Sequence, residues 1–152
     1  MEFKKPRIGL LGMMIEGYEP LFPGIIARQE AYASQLADSL SEYADVAFPG
    51  AAVTREGVEK TVAQFNRDGM DGILIVLLAY SHSTWLMHAL QNNHLPIALA
   101  VLQPDEVMKS EFTELDFTVN QGIHGAQDNA NAIRRMNYPC QFFAGSRTSE
   151  RF

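Results

Sequence analysis

The sequence of 152 residues contains one cysteine, Cys140. A lone thiol makes neither an internal disulfide nor a zinc knuckle, and in its apolar stretch it reads as a small buried residue in a reducing compartment. Long apolar runs are missing too. The longest, Ile73–Tyr80, has eight residues, against the roughly 20 that a membrane helix needs. After Met1-Glu-Phe-Lys-Lys, the apolar stretch Ile8–Ile15 is broken by Gly9 and Gly12, and Glu16 follows at once. On this reading neither a secretory leader nor a membrane span is expected, and the expected location is the cytoplasm. Positive charge is also scarce: the net charge is −6 and no basic stripe occurs. Nucleic acid and anionic membranes are therefore poor partners. With 47% hydrophobic residues, the chain can bury one real core, and residues 1–152 read as a single domain.

Short apolar runs alternate with longer amphipathic ones. Ile8–Met14, Ala44–Phe48, Gly72–Tyr80, Pro96–Leu102 and Gln141–Ala144 read as strands. Between them lie helical patterns. Ile25, Tyr32, Leu36, Leu40 and Tyr43 mark the first; Thr54 opens the second, which Gly69 stops. Ser81 or Ser83 caps the third, which buries Trp85, Leu86, Ala89 and Leu90. The segment 103–120 reads as irregular, with one turn near Asp105–Phe112. A last helix follows Asn120, with Ile123, Ala126, Ala130 and Ile133 inward. Right-handed βαβ winding then gives an α/β fold: a three-layer, doubly wound, parallel five-stranded sheet in the flavodoxin-like order 2-1-3-4-5. Thr148 or Ser149 with Glu150 reads as the first turn of a further helix, so the sequence looks like the first domain of something longer.

In such sheets ligands sit at the carboxyl ends of the strands. That directs attention to Met13–Tyr18, Ala79–Ser83, Gln103–Asp105 and Asn120–His124. The loop Gly12-Met-Met-Ile-Glu-Gly17 has neither the dinucleotide nor the Walker glycine pattern, and Glu16 repels phosphate. A phospho-acceptor site fails as well, because the third strand ends in Ala79-Tyr80 rather than a carboxylate. His82 stands at a strand end, where it either touches a ligand or is simply solvated. No two histidines have zinc-protease spacing. Asn120-Gln-Gly-Ile-His-Gly125 is the informative stretch. Its amides and imidazole, at a helix start that favours neutral histidine, could bond vicinal hydroxyls of a sugar. The same stretch also reads as a capping Asn120, two packing glycines and a surface His124.

Asn120-Gln121-x-x-His124-Gly125, Asp71-Gly-Ile through Tyr80-Ser to Leu95-Pro-Ile and Gln103, and Ala144-Gly-Ser resemble the N-terminal domain of the L-arabinose isomerase / L-fucose isomerase family. The resemblance implies a cytoplasmic aldose–ketose isomerase of carbohydrate metabolism that uses a divalent metal, manganese. The metal would be held by later domains that this chain does not contain, so the chain alone is expected to be inactive and to hold no catalytic or metal residue. It further implies a homo-oligomer in which Gln121, His124 and Tyr80 contact sugar in a site shared between subunits. Met14 and Glu16 occupy positions where that family places a sugar-contacting glutamine and leucine, a change that puts L-arabinose itself in question.

The rival reading is a non-enzymatic sugar-binding module, resembling one lobe of a periplasmic-type binding protein or repressor core. Its warrant is the βαβ rhythm alone.

Overall fold

The computed structural model describes residues 4–107 and 109–146. Five strands form one sheet: β1 (Arg7–Met13), β2 (Asp45–Ala47), β3 (Gly72–Leu77), β4 (Ile97–Gln103) and β5 (Cys140–Ser146). All four neighbouring pairs are parallel, in the order β2-β1-β3-β4-β5. This is the expected flavodoxin-like α/β architecture. The most apolar strands lie inside because a central strand must bury both faces.

Alternation along the strands divides the core into two layers. Leu11, Met13, Ile73, Ile75, Leu77, Ile97 and Leu99 face α2 (Arg55–Arg67), α3 (Ser83–Leu90) and α5 (Gly122–Arg135). Leu10, Met14, Val76, Leu78, Ala100 and Leu102 face α1 (Ile25–Leu40) and α4 (Glu114–Asn120). Burying one such side chain completely is worth about 1.5–3 kcal/mol. Gly9 has a steric reason: a Cβ there would stand 2.5 Å from the Phe65 ring of α2.

The helix ends follow local chemistry. Thr54 accepts a hydrogen bond from the Gly57 amide, and Gly69 closes α2 at φ +64°. Glu19 takes the Gly24 amide at 2.6 Å and the Ile26 amide at 3.1 Å, covering the start of α1. Those two bonds hold its carboxyl below the usual range.

Four expectations need correction. The segment 103–120 is irregular only to Thr113, with no helix among the described residues of 105–112, because Thr113 and Asp116 form a reciprocal capping box that opens α4 over Glu114–Asn120. Asn120 therefore ends a helix rather than capping one. Neither Ser81 nor Ser83 caps α3; the Asp128 carboxylate on α5 accepts the Ser83 amide at 3.0 Å instead. Two residues read as apolar helix positions are exposed, Tyr43 by 69% beyond the end of α1 and Ile123 by 40% on α5. The helical turn expected at Thr148–Glu150 lies outside the described residues. Among the described residues, no helix is long and apolar enough to cross a membrane.

Candidate functional site at the carboxyl edge

The carboxyl edge is assembled by three connections, two that begin where strands end and one between helices. After β1 the chain turns through a short 3-10 segment, Glu16–Tyr18. The Ile15 amide bonds the Tyr80 carbonyl at 3.1 Å, so this turn is tied to the loop after β3. The Glu16 amide bonds Val53 at 3.0 Å. The third connection is the α4–α5 junction, where Gln121 is both the last cap of α4 and the first of α5.

Gly122 and Gly125 explain how α5 reaches this place. A Cβ on Gly122 would overlap the Leu77 carbonyl oxygen at the end of β3. A Cβ on Gly125 would stand 3.0 Å from the Ser81 amide and 3.1 Å from a Leu77 methyl. Bare backbone lets the helix start sit directly on the strand end. Buried Asn129 secures the seat by donating to the carbonyls of Ser81 at 3.1 Å and Gly125 at 2.8 Å. Gln29 of α1, also buried, donates to the carbonyls of Leu78 and Val119 and joins the end of β3 to α4.

The outcome is a small polar and aromatic cluster. Gln121 Nε2 donates to the Tyr18 hydroxyl at 3.2 Å, across 103 residues of sequence. Burial, and then the nearby Tyr80, push the Tyr18 phenol above its ordinary value. The Tyr80 hydroxyl lies 3.4 Å from His82 Nδ1, and their rings meet edge-on at 5.3 Å. The His82 ring then meets Trp85 at 5.1 Å. Tyr80 and Trp85 are half-buried, leaving ring surface open to solvent. Further along the same edge is a cleft of about 430 Å³ lined by Gln103, Asp105, Glu106 and Ile123.

The residues singled out from sequence separate here. Gln121 and Tyr80 join the cluster. Glu16 is exposed on the turn that carries Tyr18. His124 is exposed on the first turn of α5, and its ring faces Phe117 of α4 at 6.3 Å rather than Tyr80. Met14 is fully buried among Leu10, Ile25 and Leu36, so its side chain is core and does not line the edge. Asn120 anchors the loop after β4: its side-chain oxygen takes the Asp105 amide at 3.0 Å, and its nitrogen reaches the Asp105 carboxylate at 2.8 Å. Sequence reading did not single out Tyr18, and it assigned Trp85 to the core. An aromatic right after Gly17 in a strand-end loop is the signal that could have marked Tyr18. Among the described residues, no group of three or more histidine, cysteine, aspartate or glutamate side chains is placed to hold a metal.

No protein-family model and no curated protein matches the chain. It is similar to solved structures at low identity. One is the lac repressor dimer bound to operator and the anti-inducer ONPF: 11% identity, 95% of this chain, 49% of that one, TM-score 0.40. Another is the periplasmic binding protein of the arabinose ABC transporter from Shewanella sp. ANA-3, bound to L-arabinofuranose: 14% identity, 92% and 54% coverage, TM-score 0.37. A third is a LacI-family transcriptional regulator from Rhizobium etli: 11% identity, 93% and 57% coverage, TM-score 0.37. The chain spans about half the length of these proteins. Likeness at this level assigns no function. The resemblance drawn from sequence is corrected here: no family model and no curated protein supports an isomerase, and none of these similar structures is one. The isomerase family is therefore set aside.

Two outcomes are expected. Gly122→Ala should lower stability by about 1–3 kcal/mol, because the new methyl meets backbone that cannot swing away. Gly17→Ala, whose nearest neighbour would be 3.9 Å off, should be near neutral; urea unfolding of both variants measures the contrast. The raised Tyr18 pKa has its own signature. The unfolded chain ionises this tyrosine first, so its contribution is intact below about pH 10 and declines as pH rises past it. Tyr18→Phe should flatten that alkaline decline in a stability-versus-pH series.

Proposed function

We propose that this chain is a ligand-binding α/β lobe whose carboxyl edge takes a sugar, and that it performs no bond-making of its own. One observation carries the reading: the Tyr18–Gln121 hydrogen bond stands beside the Tyr80–His82–Trp85 row of rings. Sugars present C–H faces and rings of hydroxyls. Half-open aromatic rings suit the former, and a neutral amide, phenol and imidazole suit the latter. An anionic phosphate would find Glu16 on the loop after β1 and no glycine cradle there. This is the non-enzymatic alternative that the sequence already allowed, and it uses Gln121 and Tyr80 while leaving Met14 out.

Ligand selection in this reading is a matter of hydrogen-bond geometry. Gln121 already donates to Tyr18, so its carbonyl oxygen and second amide hydrogen are the groups left for a hydroxyl pair. Tyr18 is oriented by that same bond, which lowers the cost of ordering it when the ligand arrives.

Trp85 is the sole tryptophan in the sequence and touches His82, so its fluorescence reports occupancy. Titration with free L-arabinose, L-fucose, D-galactose and D-ribose should give a saturable change with at least one of them. Gln121→Ala should weaken that sugar roughly 2- to 15-fold, the equivalent of one net hydrogen bond of about 0.5–1.5 kcal/mol. Tyr80→Ala should weaken it as well, through lost ring contact. Absence of a saturable response to all four sugars at millimolar concentration, with calorimetry equally silent, would overturn the reading.

A further inference from the structure

His82 is exposed, yet its two chain neighbours, Ser81 and Ser83, are buried. The backbone around it is held peptide by peptide. The Tyr80 carbonyl accepts from the Ile15 amide at 3.1 Å, and the Ser81 carbonyl accepts from Asn129 Nδ2 at 3.1 Å. The His82 carbonyl accepts from the Trp85 amide at 3.2 Å, and the Ser83 amide donates to the Asp128 carboxylate at 3.0 Å. Asp128 and Asn129 are consecutive on α5, so adjacent side chains of one helix grip the two peptide groups that flank His82. Gly125 and Asp128 follow Gln121 at spacings of four and three, and so continue the helix face that Gln121 opens. The imidazole carried on this backbone has the Tyr80 hydroxyl 3.4 Å from Nδ1, with the Tyr80 and Trp85 rings at 5.3 and 5.1 Å. Nε2 is then the nitrogen available to a ligand hydroxyl.

We propose that Asp128 is a positioning residue of the sugar site. Together with Asn129 it fixes the backbone on both sides of His82 and so aims the exposed imidazole between Tyr80 and Trp85. Helix α5 then serves the site twice: its start presents Gln121, and its next turns orient the ring row. This rests on the sugar-binding reading of the carboxyl edge and adds to it a residue that touches no ligand. An exposed side chain keeps one orientation only where the groups beneath it are themselves fixed, and that is what the Ser81 and Ser83 bonds supply. Were Asp128 only an end support for α3, its loss would weaken the fold without changing the His82 ring or its part in binding.

Carbon–proton spectra of the histidine rings in the ligand-free full chain give the first reading. Asp128→Ala should move the His82 ring resonances toward those of exposed His94, with the Gln121 side-chain amide unmoved. Asp128→Asn keeps an oxygen for the Ser83 amide and should hold the wild-type positions. Asp128→Glu moves the carboxylate out by one methylene; it should shift His82 as well, and it stands in if the alanine variant fails to fold. Trp85 fluorescence titration, with whichever of L-arabinose, L-fucose, D-galactose and D-ribose the wild type binds, gives the second reading. Asp128→Ala should weaken that sugar roughly 2- to 15-fold, no more than loss of the His82 hydrogen bond itself. In a His82→Ala background the same substitution should have no further effect on binding, because it acts only through His82. Additive losses in the double variant, or His82 resonances that stay in place in both Asp128→Ala and Asp128→Glu, would overturn the proposal. A wild-type chain that binds none of the four sugars overturns the sugar reading and the binding half of this proposal with it, while the ligand-free spectra still decide whether Asp128 aims His82.

Discussion

Of the glycines among the described residues at which an added Cβ would clash, Gly122, in the first turn of α5 on the end of β3, is the tightest. Gly122 lies against the Leu77 carbonyl with no room for a side chain, and a Cβ on Gly125 would stand 3.0 Å from the Ser81 amide. Once the helix start is seated there, other features follow from it. Gln121 is brought within hydrogen-bond reach of Tyr18. Asp128, one and a half turns further on, reaches the amide that opens α3. Asn129 fills the interior position under Ser81. A single backbone contact thus links three loops that are distant in sequence, and the edge is positioned by helix and strand termini rather than by free loops.

This seating also accounts for what a sequence reader meets in Asn120-Gln-Gly-Ile-His-Gly125. The glycines answer a packing need that arises wherever a helix starts on top of a strand end. Asn120 answers a loop-anchoring need through Asp105. Glycine and amide spacing of this kind supported the sugar-isomerase resemblance, yet much of it serves the fold. In the proposed sugar site, the residue of that stretch that meets the ligand is Gln121. His124, next to Phe117, has an exposed ring on the adjoining helix face.

The sheet was legible because its signal is redundant. Runs such as Ile73-Leu-Ile-Val-Leu are apolar on both faces, and winding rules leave few orders for five parallel strands. Helix α4 was hidden for the opposite reason. It has seven residues, and its start depends on the Thr113–Asp116 reciprocal bonds, a short cue with aspartate in place of the more familiar glutamate. The cap of α3 could not be read locally at all, since it comes from Asp128, 45 residues away. Met14 and Met13 are adjacent in sequence but lie in opposite core layers. Strand alternation continued one residue past the end of β1 removes Met14 from the edge, while Tyr18 is returned to it by the turn that follows.

If the Tyr18–Gln121 pair and the Trp85 row form one sugar-recognition surface, as proposed, proton–nitrogen correlation spectra recorded during a sugar titration should show it. The Gln121 side-chain amide and the Trp85 indole resonances should shift together and yield one common dissociation constant. Shifts confined to the opposite edge of the sheet, around His94 and Tyr138, with the Gln121 and Trp85 signals unmoved, would contradict it.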